Sequence, residues 1–395
     1  MANAVYKTVL LDSLPAQVQS VRSVWILRLA LGLITLLGAA IFFLGVSWDI
    51  QWHHFIGRDR TLIPPHVMML CGVTISGVVA MAAVLIETIW VRRSLSLAQR
   101  STPFADFFHG PLGAYVAGFG ALNAAIAFPL DAYWHALYGI DVAIWAPFHI
   151  MIIAGMGLAS LGSAYMLLSA ARLAARVEAH QAKRVGYTGV LAAFGTTLSI
   201  LVILLADAPG RLGTIALPGI TINVFPVLAG LLGTWTFVAI VYAVSWRWAA
   251  TAVCGFSFLI VAVGSAMVPP AMDFLMSFEH LSFRAVIDKN ADPHLPVVAL
   301  GWPGTSLIIA AVLIDVCMLV ARRKGWSRRT QIIMLSVVTL LGCVPITPIE
   351  PLMCLELWHT LGIGFLVSLL IGLLGTFAGA WLGRGMGEAI RGLER

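Results

Sequence analysis

Apolar residues in this chain come in long runs, not in strict alternation or in short amphipathic stretches. A helix needs about 20 apolar residues to cross a bilayer. Ten runs approach or exceed that length: 24–46, 67–90, 111–130, 146–170, 187–206, 219–243, 249–268, 297–320, 331–345 and 359–382, the ninth being the shortest. Runs of this kind predict helices, because a backbone in hydrocarbon has to satisfy its own N–H and C=O groups. The expected fold class is therefore an all-α integral membrane protein with about ten transmembrane helices.

The polar residues between the runs sort by sign. With the N-terminus on the cytoplasmic side, 18 of the 24 Lys and Arg residues fall in cytoplasmic segments, among them Arg92, Arg93, Arg100, Arg322, Arg323 and Lys324. Arg58, Arg60, Arg211, Arg284 and Lys289 fall outside, and Arg28 lies within the first run. Positive charge concentrates on the cytoplasmic side of membrane proteins, so the pattern predicts N-in and C-in with an even number of spans. The acids sort the opposite way, with 11 of 18 on the external side. Three regions follow: a cytoplasmic segment 1–23, a helical region 24–186 and a second helical region 187–395.

Composition sharpens this picture. The chain is 60% hydrophobic and 11% charged, against about 25% charged in soluble domains, and its mean hydropathy is +0.95. The formal net charge of +6 reads as a topology signal, not as a nucleic-acid surface. Five scattered cysteines, Cys71, Cys254, Cys317, Cys343 and Cys354, include no CxxC pair and suggest no disulfide framework. No cleavable signal peptide is expected. The location expected is a membrane crossed many times, with the lipid bilayer as the first partner.

Two external segments repeat one pattern. The first, SWDIQWHHFIGRDRTLIPPH, holds Asp49, His53 and His66 in the spacing D-x3-H-x12-H. The second, PLDAYWHALYGIDVAIWAPFH, holds Asp131, His135 and His149 as D-x3-H-x13-H. In both copies Trp precedes the first His, Gly follows four residues on and a further Asp two after that; Pro and His close the segment. Asp and His four apart share one face of a helical turn. Pro65 and Pro147 suit the first turn of the next helix, where the amide has no helical partner. A helix extension and a following helix start then bring one carboxylate and two imidazoles to a single point. That set suits a metal, with imidazole favouring copper, zinc or iron. Asp59 and Asp141 are candidates to orient an imidazole from behind. Retention of the repeat as structure, with Trp at the interface, is the plainer alternative.

These residues resemble the C subunit of the copper membrane monooxygenases, the family of particulate methane, ammonia and related hydrocarbon monooxygenases. The resemblance is carried by Asp49-x3-His53-x12-His66, by Trp52-His53, Arg58-Asp59 and Pro64-Pro65-His66, and spans roughly residues 20–170. It implies a copper site at Asp49, His53 and His66 and a neighbouring site at Asp131, His135 and His149. In the family the second set begins with Asn, where this chain has Asp131. The resemblance further implies a bacterial cytoplasmic (inner) membrane location, oxygen-dependent hydroxylation of a small apolar substrate, other monooxygenase-type membrane subunits, a separate cupredoxin-like subunit and an oligomer. Iron or zinc remain as alternatives to copper. A metal transporter, chaperone or sensor for copper or zinc, without oxygen chemistry, is the alternative function. Few polar residues lie at mid-depth in the spans, which favours a fixed site.

The second half carries weaker echoes. His280 and His294 are again H-x13-H, with Met276 where the other copies have Asp. Trp358-His359 repeats the Trp-His pair with Leu355 in place of Asp, and Glu356 lies between them. Residues 187–395 read as a degenerate repeat of the first half. Two acids, Glu87 and Asp315, fall inside predicted spans, and adjacent basic residues such as Arg92 for Glu87 are the expected partners.

Overall fold

The computed structural model describes residues 16–57, 62–92, 95–139, 144–205, 214–223, 225–280, 282–283, 292–298, 304–343 and 363–392. Among these, ten helices of 16 residues or more follow one another: α1 (Ala16–Phe55), α2 (Pro64–Val91), α3 (Leu112–Tyr138), α4 (Pro147–Arg176), α5 (His180–Val202), α6 (Phe225–Ala243), α7 (Ala249–Phe278), α8 (Gly304–Lys324), α9 (Arg328–Cys343) and α10 (Ile363–Gly392). Each overlaps one of the ten apolar runs. Two small antiparallel hairpins interrupt them. One pairs β1 (Thr102–Phe104) with β2 (Phe108–Gly110), and the other pairs β3 (Thr214–Leu217) with β4 (Ile220–Asn223). The boundary drawn at 186/187 falls inside the continuous helix α5.

Seven of the described helices are long and apolar enough to cross a membrane. Their outward faces carry Phe119, Leu122, Ile126, Leu259, Leu370 and Trp381 in exposed positions. A water-soluble surface does not sustain apolar area on that scale, whereas lipid does. The molecule is therefore an all-α membrane protein.

Small residues set the helix contacts. Along α3 and α4, Gly113 and Gly120 face Gly162 and Gly155 so closely that a Cβ at Gly113 would lie 2.3 Å from the Gly162 carbonyl oxygen, and one at Gly120 would lie 2.4 Å from that of Gly155. In α10, Gly375, Gly379, Gly383 and Gly387 recur every four residues and rest on the backbone of Val227, Leu231, Trp235 and Ala239 in α6. Apolar packing has no hydrophobic drive within lipid, so close backbone approach through small residues replaces it. The result is a tight group of α1 to α4, joined through α5 to a second group built on α6 and α10.

Buried charge ties distant segments together. Arg28 of α1 meets Glu87 of α2 with Nε–Oε1 at 2.6 Å and Nη2–Oε2 at 2.9 Å, both side chains being essentially inaccessible. Glu87 thus takes its partner from within the first span and not from the adjacent Arg92, as the sequence had suggested. Arg92, at the end of α2, is near in sequence, but Arg28 is near in space because α1 and α2 run antiparallel side by side. Asp315 of α8 feels the charge of Arg322 further along its own helix, but its hydrogen bonds go elsewhere. Its carboxylate accepts from the Ala250 and Thr251 amides and the Thr251 hydroxyl. It thereby supplies the first turn of α7 with the acceptor that no local side chain provides.

Candidate metal centres

Helix α1 does not stop where its apolar run stops. It continues to Phe55, which places Asp49 and His53 one turn apart on the same face. The chain turns at Gly57, whose φ of 70° suits glycine. It re-enters as α2 with Pro64 and Pro65 in the first turn, so His66 stands at the mouth of that helix. Asp49 Oδ1 lies 3.5 Å from His53 Nε2 and 3.1 Å from His66 Nε2.

The second copy is built alike. Helix α3 runs through Asp131 and His135 to Tyr138, turns at Gly139 with φ 83°, and α4 begins at Pro147 with His149 in its first turn. Asp131 Oδ2 lies 3.4 Å from His135 Nε2, and Asp131 Oδ1 lies 3.3 Å from His149 Nε2. The two imidazole centroids are 6.1 Å apart in the first cluster and 5.7 Å apart in the second, at similar tilts. In each triad one ligand atom from every residue lies within 4.8 Å of the others. Two donors held at ~2.0–2.2 Å from a tetrahedral ion are ~3.3–3.6 Å apart, and the four Asp–His separations, 3.1 to 3.5 Å, lie close to that.

The chemistry of the donors fits a cation. Asp49 Oδ1 and Asp131 Oδ1 are buried and make no hydrogen bond of normal geometry. His135 Nδ1 contacts the Gly139 carbonyl oxygen at 3.2 Å. A carbonyl only accepts, so Nδ1 carries a proton in this contact and the ring turns Nε2 toward Asp131, where a neutral ring would present its lone pair. A lone pair facing a carboxylate is unfavourable unless a proton or a metal ion stands between them. With neutral imidazoles each triad carries one negative charge. Copper, zinc or iron would be held by two Nε2 atoms and one carboxylate oxygen in either cluster.

The surroundings differ. Beside the first cluster, the residues between its ligands pack on the second half of the chain. Gln51, between Asp49 and His53, is fully buried. Its Nε2 donates to the Pro293 and Leu295 carbonyls at 3.1 and 2.9 Å, and its Oε1 accepts from the Val297 amide at 2.7 Å. Trp48 Nε1 donates to Met272 Sδ at 3.3 Å. Trp52, Phe55, Ile56 and Ile63 pack on Val268, Met272 and Met276 of α7. Around the second cluster, Tyr133, Leu137 and Tyr138 are exposed. His149 is 25% exposed against 16% for His66. Trp145 anchors its loop by donating to the Leu204 carbonyl, and Asn123 donates to the Met151 carbonyl across α3 and α4.

Among the described residues only these two triads form three-ligand clusters. His294 contacts Asp273 at 3.2 Å, with both side chains about half exposed or more, and its amide donates to Asp292. His280 lies just past the end of α7 with φ 53° and joins neither triad. Asp59, Asp141, Glu356 and His359 lie outside the described residues. Sequence reasoning missed Gln51. Its one signal was a carboxamide placed between two ligands at the end of an apolar helix.

The fold and the two triads define a class: a multi-helix membrane protein with a duplicated cluster of metal-type ligands at its helix ends. Comparison with family models, curated proteins and solved structures found no match to this chain.

Proposed function

We propose that this protein binds copper at both triads and, like the C subunit of copper membrane monooxygenases that its first half resembles, takes part in oxygen-dependent hydroxylation of a small apolar substrate. The observation that carries the reading is the duplication: Asp49, His53 and His66, and Asp131, His135 and His149, converge separately from equivalent helix ends. Structural retention alone would keep Trp, Gly and Pro in place without bringing two imidazole Nε2 atoms onto one carboxylate in each copy. Bound copper would supply oxygen activation. The chain's own residues hold the ion, fix the His135 tautomer through Gly139 and, at the first cluster, exclude water with Trp52, Phe55 and Met272. Apolar helix faces around the clusters give an alkane-sized substrate a route from the bilayer.

In this reading all ten helices cross an inner membrane, with both termini in the cytoplasm and both triads at the external face. Other monooxygenase-type membrane subunits and a cupredoxin-like subunit complete the enzyme. Metal analysis of the full chain purified in mild detergent tests the reading. About two copper ions per chain are expected, falling to about one in His53→Ala and in His135→Ala. Unchanged copper in both variants, or a wild-type protein free of metal after purification from copper-replete membranes, would overturn it. Metal uptake into proteoliposomes without oxygen consumption would instead favour a transporter.

A further inference from the structure

A cavity of about 440 Å³ lies at the other end of the first four helices and is not used by the triads. Its walls come from Arg28 of α1, the segment Gln99–Thr102, the first turn of α3, and Tyr165, Ser169 and Arg176 of α4. The volume falls in the range of small-ligand pockets, about 300–1,000 Å³. Three arginines, Arg28, Arg100 and Arg176, line it, and among the described residues no carboxylate does.

The wall is braced. Arg28 Nη1 donates to Ser169 Oγ at 2.6 Å, Arg28 Nη2 donates to the Arg100 carbonyl at 3.1 Å, and Ser101 Oγ donates to Glu87 Oε2 at 2.9 Å. This network uses the Arg28–Glu87 pair to fix residues 100–101 against α1, α2 and α4. Glu87 offsets one of the three positive charges from behind the wall. The N-terminus of α3, 27 residues long, opens on the cavity at Pro111 to Gly113, with no side chain capping it. Its amides add the positive end of a helix dipole.

Depth identifies the medium. Arg28 and Asp49 are 21 positions apart on one continuous helix, ~32 Å at 1.5 Å per residue. The hydrocarbon core is ~30 Å thick. If the triads sit at one membrane interface, the cavity sits at the opposite headgroup layer, on the arginine-rich side. Guanidinium forks, hydroxyls and helix amides together match the oxygens of a phosphate.

We propose that this cavity binds a phosphate-bearing anion, supplied at that depth by the headgroup of an anionic phospholipid. The test reads lipid, not metal, so its outcome and that of the copper reading are separable. The full chain is exchanged into detergent containing phosphatidylglycerol or phosphatidylcholine, and bound lipid is measured by native mass spectrometry. The wild type is expected to retain phosphatidylglycerol preferentially. Arg100→Gln and Arg176→Gln should each weaken retention about tenfold, while Arg329→Gln, at the exposed start of α9, leaves it unchanged. Should Arg100→Gln fail to fold, Arg176→Gln, exposed at the end of α4, decides alone. Inorganic phosphate that displaces the lipid would point to a soluble phosphate compound at the same site; lipid retained in excess phosphate assigns the headgroup. Equal retention of both lipids by the wild type, or wild-type retention by both arginine variants, overturns the proposal.

Discussion

Single side chains decide which donors meet at the helix ends that carry the triads. His66 and His149 enter their triads from helix starts, so replacing either removes one donor without breaking a helix interior. We expect His66→Ala to lower copper content to about one ion per chain and His149→Ala to do the same, with the double variant metal-free; elemental analysis against protein concentration checks this. Gln51 has a different role. Its carboxamide satisfies three backbone groups of residues 293–297, and such groups cost about 1–3 kcal/mol each when left unsatisfied. Gln51→Ala is expected to loosen that loop while leaving α1 helical. Faster amide hydrogen exchange confined to residues 292–298 is the signature; unchanged exchange would remove Gln51 from this role. Asp and His at four-residue spacing were legible in the sequence because a helix repeats every 3.6 residues. Gln51 was not, because its partners lie more than 240 positions away.

At the scale of elements, the helices are held by close approach and by the buried Arg28–Glu87 pair. In α10 a Cβ at Gly379 would meet the Leu231 carbonyl oxygen at 2.6 Å, so Gly379→Leu must push α6 and α10 apart. Overpacking of this kind costs about 1–3 kcal/mol, read as a lowered thermal midpoint in detergent. Arg28→Met leaves Glu87 buried with its main partner gone, which costs about 3–5 kcal/mol. The double variant Arg28→Met with Glu87→Gln should recover much of that loss. If the double variant is as unstable as the single one, the pair is not what holds α1 to α2. The acids Glu87 and Asp315 stood out in the sequence as charges within apolar runs. Their partners did not, since Arg28 and the amides of Ala250 and Thr251 are 59 to 65 positions distant. Periodicity reports a helix's faces but not which face meets which.

For the whole molecule, the second half of the chain makes the two triads unequal. The α7 end and residues 292–298 pack on Gln51, Trp52 and Phe55 beside the first, while in the second His149 is 25% exposed against 16% for His66, next to exposed Tyr133 and Tyr138. A membrane-impermeant chelator applied to the external face should therefore strip the second triad first. Biphasic copper loss is expected, with the slow phase absent in His53→Ala and the fast phase absent in His135→Ala. A single phase in the wild type would mean that the cover does not shield the metal.

The sequence by itself determined the helices, their apolar character and the two ligand sets at equivalent helix ends. These are local properties: run length, four-residue spacing and proline at a first turn act within one segment. Tertiary structure decided the rest. It turned Arg28 to Glu87, lent α7 its cap from α8, and laid residues 292–298 over one triad and not the other. It also gathered three arginines around one cavity. Each of these joins residues far apart in the chain, and only the packing of small-residue faces fixes which distant groups become neighbours.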